Sequence, residues 1–131
     1  MNWKPINIFG GSGTGRGPVY PGLGRAAGRL ATDPDPSGWF RGKVFWYVKP
    51  SYKGRVLIRG RRLDAHGALR LDHPRGTELR IPIHNGIDWS GRPPGARGEA
   101  SDLFVHRGGC YGVQMDGTNF SRVVVFSISS P

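Results

Sequence analysis

The stretch GCYGVQMDGTNFSRVVVFSI, residues 109–128, decides the fold class of this chain. It contains two apolar runs separated by Asp116-Gly117, and an Asp-Gly pair between such runs is a strong signal for a β-hairpin. We therefore predict antiparallel strands near residues 110–115 and 120–128. Gly117 is predicted to adopt a positive φ in a tight turn, because glycine does so without a Cβ clash. Such an ending indicates an all-β, immunoglobulin-like sandwich of antiparallel strands.

Short strands with turn residues between them continue upstream as far as residue 39. Turns recur about every 8 to 12 positions, which is typical of a sandwich or barrel and not of alternating strands and helices. Strands are predicted over Lys43–Lys49, Arg55–Arg59, Leu69–Leu71 and Leu79–Ile83, then a long loop over His84–Ala100 and a run over Leu103–His106. Within the first of them, Trp46 alternates with Phe45 and Tyr47, which predicts that Trp46 lies in the core.

Residues 1–38 form a Gly/Pro-rich N-terminal lead-in, and residues 39–131 form the β-sandwich domain. A chain of 131 residues is expected to hold one domain. An edge strand in the lead-in is predicted from an alternating apolar set: Trp3, Ile6, Ile8 and Phe9. The rest is expected to lack long regular structure and to pack through three apolar side chains: Val19, Tyr20 and Leu23. A short helical turn is expected at most over Arg25–Ala31.

The chain is strongly basic, with a formal net charge of +10. Such a charge indicates binding to nucleic acid or to anionic surfaces, but 15 arginines against 4 lysines also fit a GC-rich coding sequence. The longest apolar run, Val123–Phe126, falls short of the roughly 20 residues of a membrane-spanning helix, so no span is predicted. The first residues do not match a signal peptide, so the chain as given is expected to carry no export signal.

The candidate ligand surface is a basic and aromatic stretch between Asp35 and Asp64 that contains no acidic residue. Its members form a possible anion or nucleic-acid surface: Arg41, Lys43, Lys49, Tyr52, Lys53, Arg55, Arg59, Arg61 and Arg62. Cations that follow phosphates beside aromatics that stack on bases hold single-stranded nucleic acid on β platforms. Alternatively, these aromatics are the core of the sandwich, which the alternation around Trp46 favours. An exposed face shared by Tyr47, Tyr52 and Arg59 would support the nucleic-acid hypothesis.

No catalytic, cofactor or metal site is predicted, and we expect the protein not to be an enzyme. The Gly-x-Gly patterns in residues 10–17 lack a Gly-Lys-Ser/Thr ending. Only His84 with Asp88 forms a local His/carboxylate pair among four scattered histidines: His66, His73, His84 and His106. Cys110 alternates with apolar residues in a strand, so a buried or paired thiol is favoured over a nucleophile. Most carboxylates flank Gly or Pro, as turn residues do.

Three motifs together resemble an uncharacterised bacterial family of small exported proteins or lipoproteins. They are KVFWYVKPSY (43–52), GRVLIRGRRLD (54–64) and GCYGVQMDGT (109–118). GRGPVYP (15–21) is similar to the family's N-terminal motif, so the resemblance spans about residues 15–128. The resemblance implies a β-sandwich body and an extracytoplasmic or secreted protein. It implies no catalytic residue, cofactor or partner.

The leading hypothesis is a non-enzymatic β-sandwich used for binding or for structure at the cell envelope or in the extracellular space. Its partner would be a protein or an anionic envelope surface. A nucleic-acid-binding module using residues 41–62 is the alternative from another class, and a hydrolase ranks third. The family's export signal and upstream cysteine are missing from the chain as given, so Cys110 is either free or paired with a cysteine upstream of it.

Overall fold

The computed structural model describes residues 6–8, 11–13, 16–23, 28–71, 76–84 and 88–129. These residues form twelve β-strands and no helix. In chain order the strands are β1 (Ile6–Ile8), β2 (Gly11–Gly13), β3 (Val19–Gly22), β4 (Arg29–Ala31), β5 (Asp33–Pro34), β6 (Phe40–Val48), β7 (Val56–Arg62), β8 (Leu69–Leu71), β9 (Glu78–Ile81), β10 (Arg97–Val105), β11 (Gly109–Asp116) and β12 (Ser121–Ser129).

The strands form two sheets packed face to face. The seven-stranded sheet has the order β1-β2-β3-β6-β10-β8, with β5 also paired to β6, and the five-stranded sheet has the order β4-β12-β11-β7-β9. Every pair of strands is antiparallel except β4 and β12, which run parallel. The predicted all-β sandwich is therefore confirmed, with one parallel pair in place of a fully antiparallel arrangement. The immunoglobulin-like topology stays a prediction.

Alternate side chains of both sheets fill the core, as the period-2 pattern requires. On β6 the side chain of Trp46 is completely buried, and its indole N–H donates a hydrogen bond to Ser101 Oγ at 2.8 Å. Tyr111, Val113 and Met115 of β11 face it from the other sheet. The predicted core position of Trp46 is confirmed, as is the strand that carries it.

Four predicted element boundaries are wrong. β6 begins at Phe40, three residues before the predicted start at Lys43. β7 extends to Arg62, beyond the predicted end at Arg59, and β10 begins at Arg97, inside the predicted loop. The strand predicted over Leu79–Ile83 ends at Ile81, because Pro82 has no N–H to continue the ladder. Ile83 is consequently outside the sheet, with 59% of its surface exposed.

The lead-in is part of the sandwich rather than an appendage. β3 pairs with β6 from Val19 to Gly22, and the predicted contacts of Val19, Tyr20 and Leu23 are confirmed by their burial. The predicted edge strand is present at β1, whereas Trp3 and Phe9 lie outside the described residues.

The helical turn predicted for residues 25–31 is wrong at its C-terminal half. Residues 29–31 form β4, which pairs in parallel with the last residues of β12. Leu30 is buried between the sheets, and a Cβ at Gly42 would come within 3.0 Å of its Cδ2 atom. Burial of Leu30 therefore overrides the weak local preference for a helical turn.

The hairpin that decided the fold class is present as β11 and β12, but Gly117 does not adopt the predicted positive φ. The connection is a four-residue loop, residues 117–120, closed by the Gly117 N–H donating to the Phe120 carbonyl at 2.9 Å. This longer loop needs no left-handed residue. Glycine is required there for space, because a Cβ would collide with the Phe120 ring.

We expect Gly117→Ala to lower the free energy of unfolding by about 1 to 3 kcal/mol through overpacking against Phe120. Urea denaturation monitored by tryptophan fluorescence would measure the change. The control is the same substitution in a Phe120→Ala background, where the collision is absent and the effect should fall close to zero. If Gly117→Ala lowered the free energy of unfolding equally in both backgrounds, the loss would come from the backbone and not from the Phe120 ring, which would contradict the steric explanation.

Candidate functional site

The β7–β9 groove lies where β7, β9 and β11 reach one end of the sandwich, and it has a volume of about 770 Å³. This volume falls within the usual range for ligand sites, roughly 300 to 1,000 Å³. Three chain segments line the groove: residues 55–57, 80–84 and 116–118. We call these segments its three walls.

The floor of the groove is aliphatic. Leu57 is half-buried on the outer side of the five-stranded sheet, between its register partners Arg80 on β9 and Asp116 on β11. Ile83 projects beside it from the segment after Pro82 and remains largely exposed. Together with Pro82, these two side chains give the groove a partly apolar lining, as ligand pockets have.

The side chain of Tyr52 connects two of the three walls through hydrogen bonds. Its side chain is buried, and its hydroxyl donates a hydrogen bond to the Arg55 carbonyl at 2.5 Å. The same oxygen accepts a hydrogen bond from the Thr118 N–H at 2.9 Å. The Tyr52 ring packs edge-on against the Phe120 ring, with 4.8 Å between centroids. The loop before β7 and the loop after β11 are thus joined through one side chain.

The side chain of Arg97 holds the third wall, residues 80–84, through a hydrogen bond to the Pro82 carbonyl. Only 4% of this arginine is exposed, and its guanidinium donates hydrogen bonds to the carbonyls of Pro82 (2.6 Å), Gly54 (2.7 Å) and Tyr52 (3.2 Å). Its guanidinium also lies 5.8 Å from the centre of the Tyr52 ring. Burial lowers the pKa of the Arg97 guanidinium below its ordinary value. Tyr52 and Arg97 together therefore fix all three walls before any ligand arrives, which reduces the ordering cost of binding.

Charged groups of both signs line the groove, and its arginines outnumber its carboxylates. Arg55 and Arg80 are exposed along it, whereas Asp116 is its one carboxylate among the described residues. Arg80 pairs with Glu78, outside the lining, at 3.1 Å. Hydrogen bonds from Ser121 and Gln114 lower the pKa of Asp116. Arg59 pairs with that carboxylate at 3.3 Å, so its charge is balanced within the protein.

The structure does not bring the nine candidate residues onto one surface. Arg41, Lys43 and Lys49 lie on the outer side of the seven-stranded sheet, and Arg59 and Arg61 on the outer side of the other sheet. The remaining four candidates lie in four different places. Arg62 pairs with Asp64 at 2.7 Å, and Tyr52 is in the core. Lys53 lies in the loop before β7, and Arg55 lines the groove.

The aromatic residues likewise fail to share one exposed face. Trp46 is buried, and Tyr47 is half-buried on the outer side of the seven-stranded sheet, where burial raises the pKa of its phenol. The ring of Trp89 packs edge-on against Phe45 and Tyr47, at centroid distances of 5.2 and 6.1 Å. Lys49 lies 5.5 Å from the Tyr20 ring centre in the same cluster. The rings of Phe45, Tyr47 and Trp89 therefore pack edge-on against one another instead of sharing an exposed face.

No protein-family model matches the chain, and a search of curated proteins gives no match. Among solved structures, the chain is similar to the CooA pilin subunit from enterotoxigenic Escherichia coli. The TM-score is 0.46 with 11% sequence identity, covering 86% of this chain and 95% of the pilin chain. None of the described residues forms a helix long and apolar enough to cross a membrane.

The other candidate chemical groups remain apart in the described part of the chain. His66, His84 and His106 are exposed, and the ring of His106 stacks on Trp39 at 3.6 Å. Asp88, the carboxylate close to His84 in the sequence, pairs with Arg92 at 2.9 Å. Cys110 is a free, half-buried thiol on the outer side of β11. Within the described residues, no three potential metal ligands lie together.

Sequence reasoning missed the groove, although one signal for it was present. Pro82 within the run Leu79–Ile83 indicates that the strand ends there and that Ile83 leaves the sheet. The buried role of Arg97 had no local signal, because its three carbonyl partners come from segments 15 to 45 positions away.

We expect single-stranded DNA to bind only at low salt, because diffuse attraction from a net charge of +10 is screened at higher ionic strength. Fluorescence anisotropy with a labelled oligothymidine would show binding at about 20 mM salt and none at about 150 mM. Lys43→Gln and Arg61→Gln, on opposite sides of the sandwich, should weaken the low-salt binding equally. Micromolar affinity at about 150 mM salt that only one of them abolishes would contradict this expectation.

Proposed function

We propose that this protein is a non-enzymatic binding module of the cell envelope or extracellular space, and that it contacts its partner through the β7–β9 groove. One observation carries the proposal. The groove keeps an aliphatic floor open to water while Tyr52 and Arg97 hold all of its walls in place. A fixed, partly apolar concave surface is suited to recognition of a partner.

The extracytoplasmic setting rests on the family resemblance of the motifs at residues 43–52, 54–64 and 109–118. The binding role rests on the groove alone. Tyr52 and Arg97 hold the walls through hydrogen bonds to backbone groups, which supports a fixed binding surface.

The experiment is selection of phage-displayed random dodecapeptides on immobilised protein. We expect enriched peptides to bind the wild-type protein and to bind Ile83→Ser at least about tenfold more weakly, since truncating a central apolar contact removes a large share of binding energy. Val123→Ser is the matched control, because Val123 is a similarly exposed aliphatic residue, at 64%, on the outer side of the five-stranded sheet and outside the groove lining.

Equal binding of the enriched peptides to the wild type, Ile83→Ser and Val123→Ser would place the contact surface elsewhere and contradict the proposal. Failure to enrich any peptide above the background of an unrelated protein would contradict it as well. Both substitutions remove exposed apolar surface and should leave stability nearly unchanged. Circular dichroism would verify that the two variants are folded.

A further inference from the structure

We propose that the occupant of the β7–β9 groove is an extended acidic peptide segment of a partner protein, with aliphatic side chains between its carboxylates. This inference rests on the proposed function and adds the chemical class of the ligand. It is argued from the charge, the lining and the hydrogen-bonding groups of the groove.

The charge of the groove favours an anionic ligand. Arg55 is exposed at the rim and forms no ion pair with any described residue. The other charged groups of the lining are paired, Arg80 with Glu78 at 3.1 Å and Asp116 with Arg59 at 3.3 Å. Arg55 therefore supplies the unbalanced charge of the groove. A partner with carboxylates would meet unpaired positive charge, whereas a basic partner would meet repulsion from the groove and from the chain as a whole.

The lining excludes ligands that are recognised by stacking. No Phe, Tyr or Trp is among the described residues that line the groove, and its apolar contacts come from Leu57, Pro82 and Ile83. Nucleobases are typically held on aromatic faces, which this groove lacks. Its aliphatic floor suits side chains such as valine and leucine, which gain from burial without a stacking partner.

The hydrogen-bonding groups favour a peptide over a simple amphipathic anion such as a fatty acid. The exposed guanidinium groups of Arg55 and Arg80 lie on two different walls of the groove. Both oxygens of Asp116 already accept hydrogen bonds from neighbouring side chains, so the charged side chains of the lining offer a ligand mainly donors. A fatty acid carries a single carboxylate, whereas an extended chain places carboxylates and aliphatic side chains at alternating positions, which matches donors on separate walls beside an aliphatic floor.

The test uses two fluorescein-labelled hexapeptides at about 150 mM salt, one alternating aspartate with valine and one alternating asparagine with valine. We expect the aspartate peptide to bind about tenfold more tightly, and Arg55→Gln to weaken it about threefold to fivefold while leaving the asparagine peptide unaffected. Arg61→Gln is the matched control, because Arg61 is an exposed arginine of β7 outside the groove lining.

The outcomes separate this inference from the proposed function. Equal affinity for the two peptides, with both weakened by Ile83→Ser, would overturn the acidic ligand and leave the groove as the binding surface. Binding unaffected by Ile83→Ser would overturn both. Octanoate serves as the lipid-like competitor. Displacement of the aspartate peptide by octanoate at equal concentration, with Ile83→Ser weakening octanoate binding, would assign the groove to an amphipathic acid and overturn the peptide.

Discussion

Trp46→Ala is expected to lower the free energy of unfolding by about 3 to 5 kcal/mol. The side chain of Trp46 is fully buried between the sheets, so its removal loses the burial of a large ring and leaves a cavity that the sandwich closes only in part. Since domains of this kind are stable by only about 5 to 15 kcal/mol, this loss removes a large share of the total stability. Urea denaturation and near-ultraviolet circular dichroism would measure the loss.

A pair of conservative variants separates the packing of Trp46 from its hydrogen bond. Trp46→Phe retains most of the ring volume but leaves the buried Ser101 hydroxyl without its donor at 2.8 Å. Adding Ser101→Ala removes that hydroxyl and should recover about 1 kcal/mol. A Trp46→Ala variant with native dichroism and an unchanged midpoint would mean that the indole contributes nothing to the core, and would contradict the fold described above.

Most of the sandwich could be predicted from the sequence because its central strands carry their own periodicity. Around Trp46 every second residue of β6 is buried. The same alternation along β11 places Tyr111, Val113 and Met115 in the core. Such a pattern requires no knowledge of the partner strand, since one buried face fixes which side chains point inward. The hairpin of β11 and β12 was predictable for the same reason.

Features that depend on distant residues could not be predicted. β4 is a strand because its three residues pair with β12, nearly one hundred positions later. Gly117 is glycine because the Phe120 ring folds back over it toward Tyr52, and not because the turn needs a positive φ. In both cases a tertiary contact decides the local structure.

The basic stretch shows why charged residues that are close together in the sequence need not lie on one surface of the folded protein. β6 and β7 are consecutive strands, so Lys43 and Arg59 are near each other along the chain. The loop between them crosses from one sheet to the other, and the outer sides of the two sheets face opposite directions. Placement of the cations therefore depends on sheet assignment, which the period-2 pattern does not specify. Of the nine candidate residues, Arg55, in the loop between β6 and β7, is the one that lines the β7–β9 groove.

Arg97→Met is expected to lower the free energy of unfolding by about 3 kcal/mol, because three carbonyls, one buried and two partly buried, lose a charged donor together. The carbonyls belong to Tyr52, Gly54 and Pro82, which hold the walls of the β7–β9 groove. The variant should therefore also bind the aspartate peptide more weakly, although Arg97 does not line the groove. Urea denaturation and fluorescence anisotropy would measure the two effects on the same sample.

Arg92→Met is the matched control, since Arg92 is another arginine that donates to a carbonyl, that of Ala96 at 3.1 Å, and pairs with an exposed carboxylate. Its loss should cost less than about 1 kcal/mol because that ion pair is largely solvated. Arg97→Lys should recover only part of the stability, since an ammonium group lacks the planar fork that reaches separate acceptors. If Arg97→Met were as stable as Arg92→Met, the walls would be held by Tyr52 and strand pairing alone, and the fixed groove would not depend on a buried cation.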